Sequence, residues 1–74
     1  MSLVNRKAKI KVDEYDRSEL SPFFIQFLEN SRDKIFTVGQ EPKYDGTDLY
    51  ILQEDPRWIF HIRYLEIIKY VGEM

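Results

Sequence analysis

Thr47-Asp48-Leu49-Tyr50-Ile51-Leu52-Gln53-Glu54-Asp55-Pro56-Arg57-Trp58-Ile59-Phe60-His61-Ile62-Arg63-Tyr64-Leu65-Glu66-Ile67-Ile68 is the stretch whose reading decides the fold. Three runs rich in β-branched and aromatic residues are joined by very short breaks, the pattern of consecutive antiparallel strands. Asp55-Pro56 is expected to turn the chain between strands at 49–53 and 58–62, because a residue before proline is pushed out of the helical region. In the second of these strands Trp58, Phe60 and Ile62 share one face, and Ile59 and His61 share the other. Arg63-Tyr64 leaves room for a single 3₁₀ turn before a last strand at 65–70, and residues 71–74 are expected to fray.

Upstream of this stretch, Asp45-Gly46 predicts a tight type I′ turn, since Asp-Gly suits positions of positive φ. It pairs a strand at 34–38 with the strand at 49–53 across a long exposed tip. Residues 7–12 alternate strictly, with Ala8, Ile10 and Val12 on one face and Lys7, Lys9 and Lys11 on the other. That is a half-buried strand with a lysine-lined solvent face. The lysine strip suits either phosphates or the protection of a sheet edge; three lysines on a chain of net charge −2 favour an edge strand.

Between these strands the chain is polar from Asp13 to Ser21, and then a helix starts. Ser21 is the expected N-cap and Pro22 the first helical residue, where its missing N–H costs nothing. Asn30 and Ser31 suit the exit. Phe23, Phe24, Ile25, Phe27 and Leu28 spread over roughly 200° of the helix, a wider arc than one packing face needs. Either the helix plugs the open end of a small barrel, or part of the arc meets a second protein or a second copy of this chain.

Composition sets outer limits. Seventy-four residues make one domain, with the folded part expected over about residues 7–70, and five Phe, five Tyr and one Trp supply the bulk of its core. The absence of cysteine excludes disulfides, thiolate zinc sites and a cysteine nucleophile, and fits a cytoplasmic setting. No run approaches the roughly 18 to 20 apolar residues of a membrane span, and no apolar signal region follows Met1.

The order strand, long loop with helix, strand, Asp-Gly turn, strand, tight turn, strand, one-turn hinge, strand resembles the SH3-like small barrels. Within that group it is similar to small bacterial and prophage-encoded proteins that end in an acidic turn, aromatics and a Leu-Glu hinge. Here those features are Asp55-Pro56-Arg57-Trp58-Ile59-Phe60 followed by Tyr64-Leu65-Glu66-Ile67-Ile68. The resemblance implies a mainly β, small α+β fold: a five-stranded antiparallel barrel with one short helix in the loop after the first strand. It also implies a binding module rather than an enzyme. The tyrosine-rich motif with which signalling SH3 domains hold polyproline is missing, Tyr15 standing alone among acids, and so is the glycine-centred turn of RNA-binding relatives.

No residue pattern adds a chemistry. His61 is the only histidine and has no nucleophile or carboxylate at a diagnostic spacing, so it reads as an ordinary strand residue. One His without Cys makes no metal site, the acids form no calcium loop, and no cofactor motif is present. The pairs Asp13/Glu14 and Glu54/Asp55 fall in expected loops, where solvated acids are the default. The aromatics carry the lead. Tyr44, Tyr50, Trp58 and Tyr64 are candidates to converge on an outer groove, with Phe23, Phe24 and Phe27 offering a second surface; Trp58 and Tyr50 are equally candidates for the core. The expected function is a non-catalytic protein-interaction module or accessory subunit, with a protein partner or self-association. The alternative is a nucleic-acid-binding module using Lys7, Lys9 and Lys11 with exposed aromatics.

Overall fold

The architecture is taken from a computed structural model, which describes residues 3–69. Five strands, β1 (Lys7–Ile10), β2 (Phe36–Gly39), β3 (Leu49–Leu52), β4 (Asp55–His61) and β5 (Leu65–Ile67), form one antiparallel sheet in the order β4-β3-β2-β1-β5. One α-helix, α1 (Pro22–Asn30), lies in the connection between β1 and β2. Short 3₁₀ turns occupy Val12–Glu14, Arg17–Glu19, Pro42–Tyr44 and Ile62–Tyr64.

The alternation of the first strand sets the core. Ala8, Ile10 and Val12 are buried, joined by Leu28, Phe36, Val38, Leu52, Phe60 and Leu65. Phe60, Leu28, Leu52 and Val38 are the largest side chains wholly shut off from solvent. Phe60 pairs with Tyr50 and Val38 with Leu52, so the inward residues of three adjacent strands meet α1 through Leu28.

The helix forms where its end signals lie. The Ser21 hydroxyl accepts from the Phe24 N–H at 3.2 Å, and Pro22 opens the first turn. At the other end Ser31 donates its hydroxyl to the Phe27 carbonyl at 2.7 Å, and Asp33 turns the chain away with φ of 66°.

Four expectations about the strands are corrected. The lysine-bearing strand β1 is not an edge: it lies between β2 and β5, and the edges are β4 and β5. Asp55-Pro56 is not the turn either. Gln53 and Glu54 make it, Leu52 pairs with Asp55, and Pro56 sits inside β4. An edge strand tolerates proline because it has a side that needs no donor, and the register shift between Tyr50 and Leu52 accommodates it.

The Asp45-Gly46 turn has the wrong type for a two-residue hairpin. Asp45 has φ −58° and ψ 134°, Gly46 has φ 84°, and the Thr47 N–H donates to the Tyr44 carbonyl at 3.0 Å, which is a type II turn. The preceding 3₁₀ turn has already carried the chain away from the strands. Finally, β2 begins at Phe36, not Lys34, and leaves Ile35 54% exposed. The 3₁₀ turn before β5 covers Arg63-Tyr64, as expected, but begins at Ile62, which the sequence places in the preceding strand, and β5 ends at Ile67, short of residues 68 and 69. Residue 70 and the expected fraying at 71–74 lie outside the described residues.

Candidate functional site

The residues that converge are aromatic, and they form one run across the space between the β1–α1 connection, α1 and β4. Tyr64, on the 3₁₀ turn after β4, stacks on Tyr15 with centroids 4.0 Å apart and planes 14° from parallel. Tyr15 meets Phe24 edge-on at 5.3 Å and 79°. Phe24 in turn lies 5.0 Å from Trp58 and 6.0 Å from Phe60. Phe27 completes the floor, at 6.0 Å from Trp58 and 6.3 Å from Phe36.

Each ring is placed by a local rule. Phe24 and Phe27, three apart on α1, present one side of the helix to the sheet. Trp58 and Phe60 alternate inward on β4 while Ile59 points out and is 39% exposed. Val12 and Tyr15 are brought to one side by the 3₁₀ turn between them, in which residues three apart eclipse. The sequence reading missed Tyr15; the spacing, an apolar residue continuing the strand alternation and a tyrosine three later, is the signal that could have found it.

Phe23 is the exception in the helix. It points away from the sheet and is 81% exposed, at the first turn of α1 and next in sequence to Phe24. Trp58 contributes a second unpaired feature: its indole Nε1–H is buried and has no acceptor among the described residues. Arg57 lies over the Trp58 ring at 5.6 Å and Arg63 over Tyr64 at 5.4 Å, so cations flank both ends of the run.

Burial, and behind it the facing Tyr64, pushes the Tyr15 phenol well above its usual ionisation range. Of the two flanking guanidinium groups, that of Arg57 is already paired with Asp55 at 2.7 Å. Of the other sequence candidates, Tyr50 is half-buried and packs on the core, and Tyr44 stays in the β2–β3 loop, with the Lys43 amine 5.3 Å from its ring centre. Neither belongs to the aromatic run. His61 acts locally, its Nδ1 accepting from the Arg63 N–H at 3.1 Å and capping the 3₁₀ turn that carries Tyr64.

The lysine strip is divided. Lys7 donates to the Thr37 hydroxyl at 2.7 Å, and that hydroxyl with the Thr37 N–H donates to Glu54. Lys9 and Lys11 border an open groove of 310 Å³ that they share with Arg32, Asp13, Asp33 and Glu66. Acids interleave with the bases throughout, which gives a phosphate backbone no continuous positive track. Among the described residues no group of three His, Cys, Asp or Glu side chains is placed to hold a metal ion, and no helix is long and apolar enough to cross a membrane.

No protein-family model, curated protein or solved structure matches this chain.

Proposed function

We propose that this chain is a non-catalytic protein-interaction module, built as an SH3-like small barrel, that takes a polypeptide segment on the aromatic surface between α1, β4 and the Ile62–Tyr64 turn. Support for the barrel comes from the strand order, in which β1 separates β2 from β5, and from the single 3₁₀ turn joining β4 to β5. The observation that carries the function is Phe23, a phenylalanine 81% exposed beside a run of half-buried rings. A large apolar ring held in water next to further aromatic surface is the composition of an interface anchor.

The test is selection of binding peptides from a random display library on the full chain, followed by affinity measurements on Phe23→Asp. Phe23 supports no core contact, so the variant keeps its fold. The expected result is enrichment of a peptide class that binds Phe23→Asp at least about tenfold more weakly, a loss of the size seen for interface anchors. Failure to enrich any class, or equal affinity for the variant, overturns the reading.

A further inference from the structure

We infer that Tyr15 is a replaceable occupant of an aromatic slot, and that an aromatic side chain of a bound polypeptide is the group that replaces it. The inference rests on the polypeptide-binding reading above and specifies how that surface is regulated. The slot has two walls: Tyr64, parallel to the Tyr15 ring at 4.0 Å, and Phe24, edge-on at 5.3 Å. Both walls are aromatic, which favours a flat ring between them, and the present occupant is one.

The segment that delivers Tyr15 is bonded locally. Among the described residues, 12–20 make their backbone-to-backbone hydrogen bonds only to Lys11 or among themselves: Glu14 N–H to the Lys11 carbonyl at 3.0 Å, Glu19 to Asp16 at 3.3 Å, Leu20 to Arg17 at 3.3 Å. Ser18 closes a local cap, its N–H and hydroxyl both donating to Asp16 Oδ1 at 3.0 and 2.7 Å. The strap thus holds its own shape without a ladder bond to the sheet. Such units open at lower free energy than the strands they cover.

Side chains are the tether. Val12, Tyr15 and Leu20 pack inward, while Asp13 pairs with Arg32 at 3.1 Å and Arg17 pairs with Glu29 on the outside. Glu29 also receives Arg32 at 3.2 Å, so one carboxylate on α1 gathers both arginines. All of these charged groups are open to water, with side-chain exposures from 32% to 78%. Salt weakens contacts of this kind and leaves the buried apolar ones intact. Loosening the charged tethers leaves the packing of Tyr15 and Leu20 on the core as what holds residues 13–20, and a ring that displaces Tyr15 meets the face of Tyr64 and the edge of Phe24.

Two measurements on the full chain test this. The first is amide hydrogen exchange of the wild type at about 50 and 500 mM NaCl, and of Arg17→Ala/Arg32→Ala at low salt. Amides of residues 13–20 are expected to exchange about three- to tenfold faster at high salt and in the variant, while those of Val38 and Phe60 stay unchanged. Strap amides that exchange as slowly as the sheet, or that respond only together with it, overturn the hinged strap.

The second empties the slot with Tyr15→Ala and adds p-cresol, the tyrosine side-chain analogue. The analogue is expected to raise the Tm of Tyr15→Ala and to leave the wild type unmoved; no rise overturns the slot. If Tyr15→Ala does not fold, the exchange of wild-type strap amides decides. Selected peptides that bind without an essential aromatic residue overturn the replacement while leaving the binding surface standing. A filled, salt-sensitive slot with no peptide class enriched overturns the binding function instead, so the two failures are distinct.

Discussion

Tyr15 and Tyr64 lie face to face with ring centroids 4.0 Å apart although 49 positions of sequence separate their numbers, and this stack joins the β1–α1 connection to the turn before β5. The pair determines how stability responds to alkali. Burial and the neighbouring ring raise the Tyr15 ionisation above the ordinary value of 10.0. Below pH 10.0 folded and unfolded chains both hold the proton, and the contribution is whole; above it the unfolded chain ionises first, so stability falls as pH rises. Urea unfolding between pH 8 and 11.5 is expected to show that decline, and Tyr15→Phe, which keeps the ring and removes the proton, to make it shallower. An identical decline in the variant would exclude Tyr15 as its source.

Acid acts through other groups. Hydrogen bonds from Arg17 and Arg32 hold the Glu29 carboxyl below its ordinary 4.5, and Arg57 holds Asp55 below its ordinary 3.8. Glu54 is pushed up by burial but more than compensated by the Thr37 N–H and hydroxyl, and its net shift is also downward. A lowered folded value gives stability that is complete above the unfolded value and is lost as pH falls through the folded one. Thermal melts from pH 6 to 2.5 are expected to show a loss beginning near pH 4.5, with Glu29→Gln losing less across that range than the wild type. Parallel curves for the two proteins would refute the role of Glu29.

The floor of the aromatic run is core. Phe60 and Leu28 are both fully buried, and neither has a polar group to rescue a smaller side chain. Leu28→Ala is expected to cost about 2–5 kcal/mol and Phe60→Ala about 3–5 kcal/mol by urea unfolding. A chain this short has little stability to spare, so the second variant is expected to be largely unfolded at 37 °C. Losses below about 1 kcal/mol would contradict this packing.

Ser21 gives a local test of the helix that presents Phe23 and Phe24. Its hydroxyl accepts from the Phe24 N–H at 3.2 Å. Ser21→Ala is expected to cost about 0.5–2 kcal/mol, and Ser21→Asp to restore most of the loss by supplying another cap acceptor. Equal stability of all three proteins in urea would show that the cap contributes nothing.

The parts of this fold that were legible in the sequence are those governed by neighbours. Alternation from Ala8 to Val12 marked inward residues, Ser21-Pro22 marked the start of α1, and the alternating rings of Trp58 and Phe60 marked the inner face of β4. What depended on distant partners was not legible. Nothing local says that β1 lies between β2 and β5, and three lysines on its outer face suit an edge as well as a centre when the sheet has an open side. The Gln53-Glu54 turn was hidden by Asp55-Pro56, because the stronger local turn signal was absorbed by the register shift in an edge strand.

The candidate site was legible in its residue types and not in its arrangement. Phe23, Phe24, Phe27, Trp58 and Tyr64 could be named from their residue types, but periodicity does not distinguish a ring facing solvent from one facing the core, as Phe23 beside Phe24 illustrates. Tyr15 looked isolated because its neighbours in sequence are acids. Its partners come from α1 and from the far end of the chain, and only the folded arrangement supplies them.

The self-contained bonding of residues 12–20 also bears on descent with change. Since no strand ladder passes through them, insertions or substitutions at the outward positions 16–19 leave every register of the sheet untouched and add only the small entropy of a longer loop, whereas Val12, Tyr15 and Leu20 pack on the core. Selection can therefore rewrite those outward positions while the scaffold stays constant. Diversification among descendants of this chain is expected to concentrate between Asp16 and Glu19.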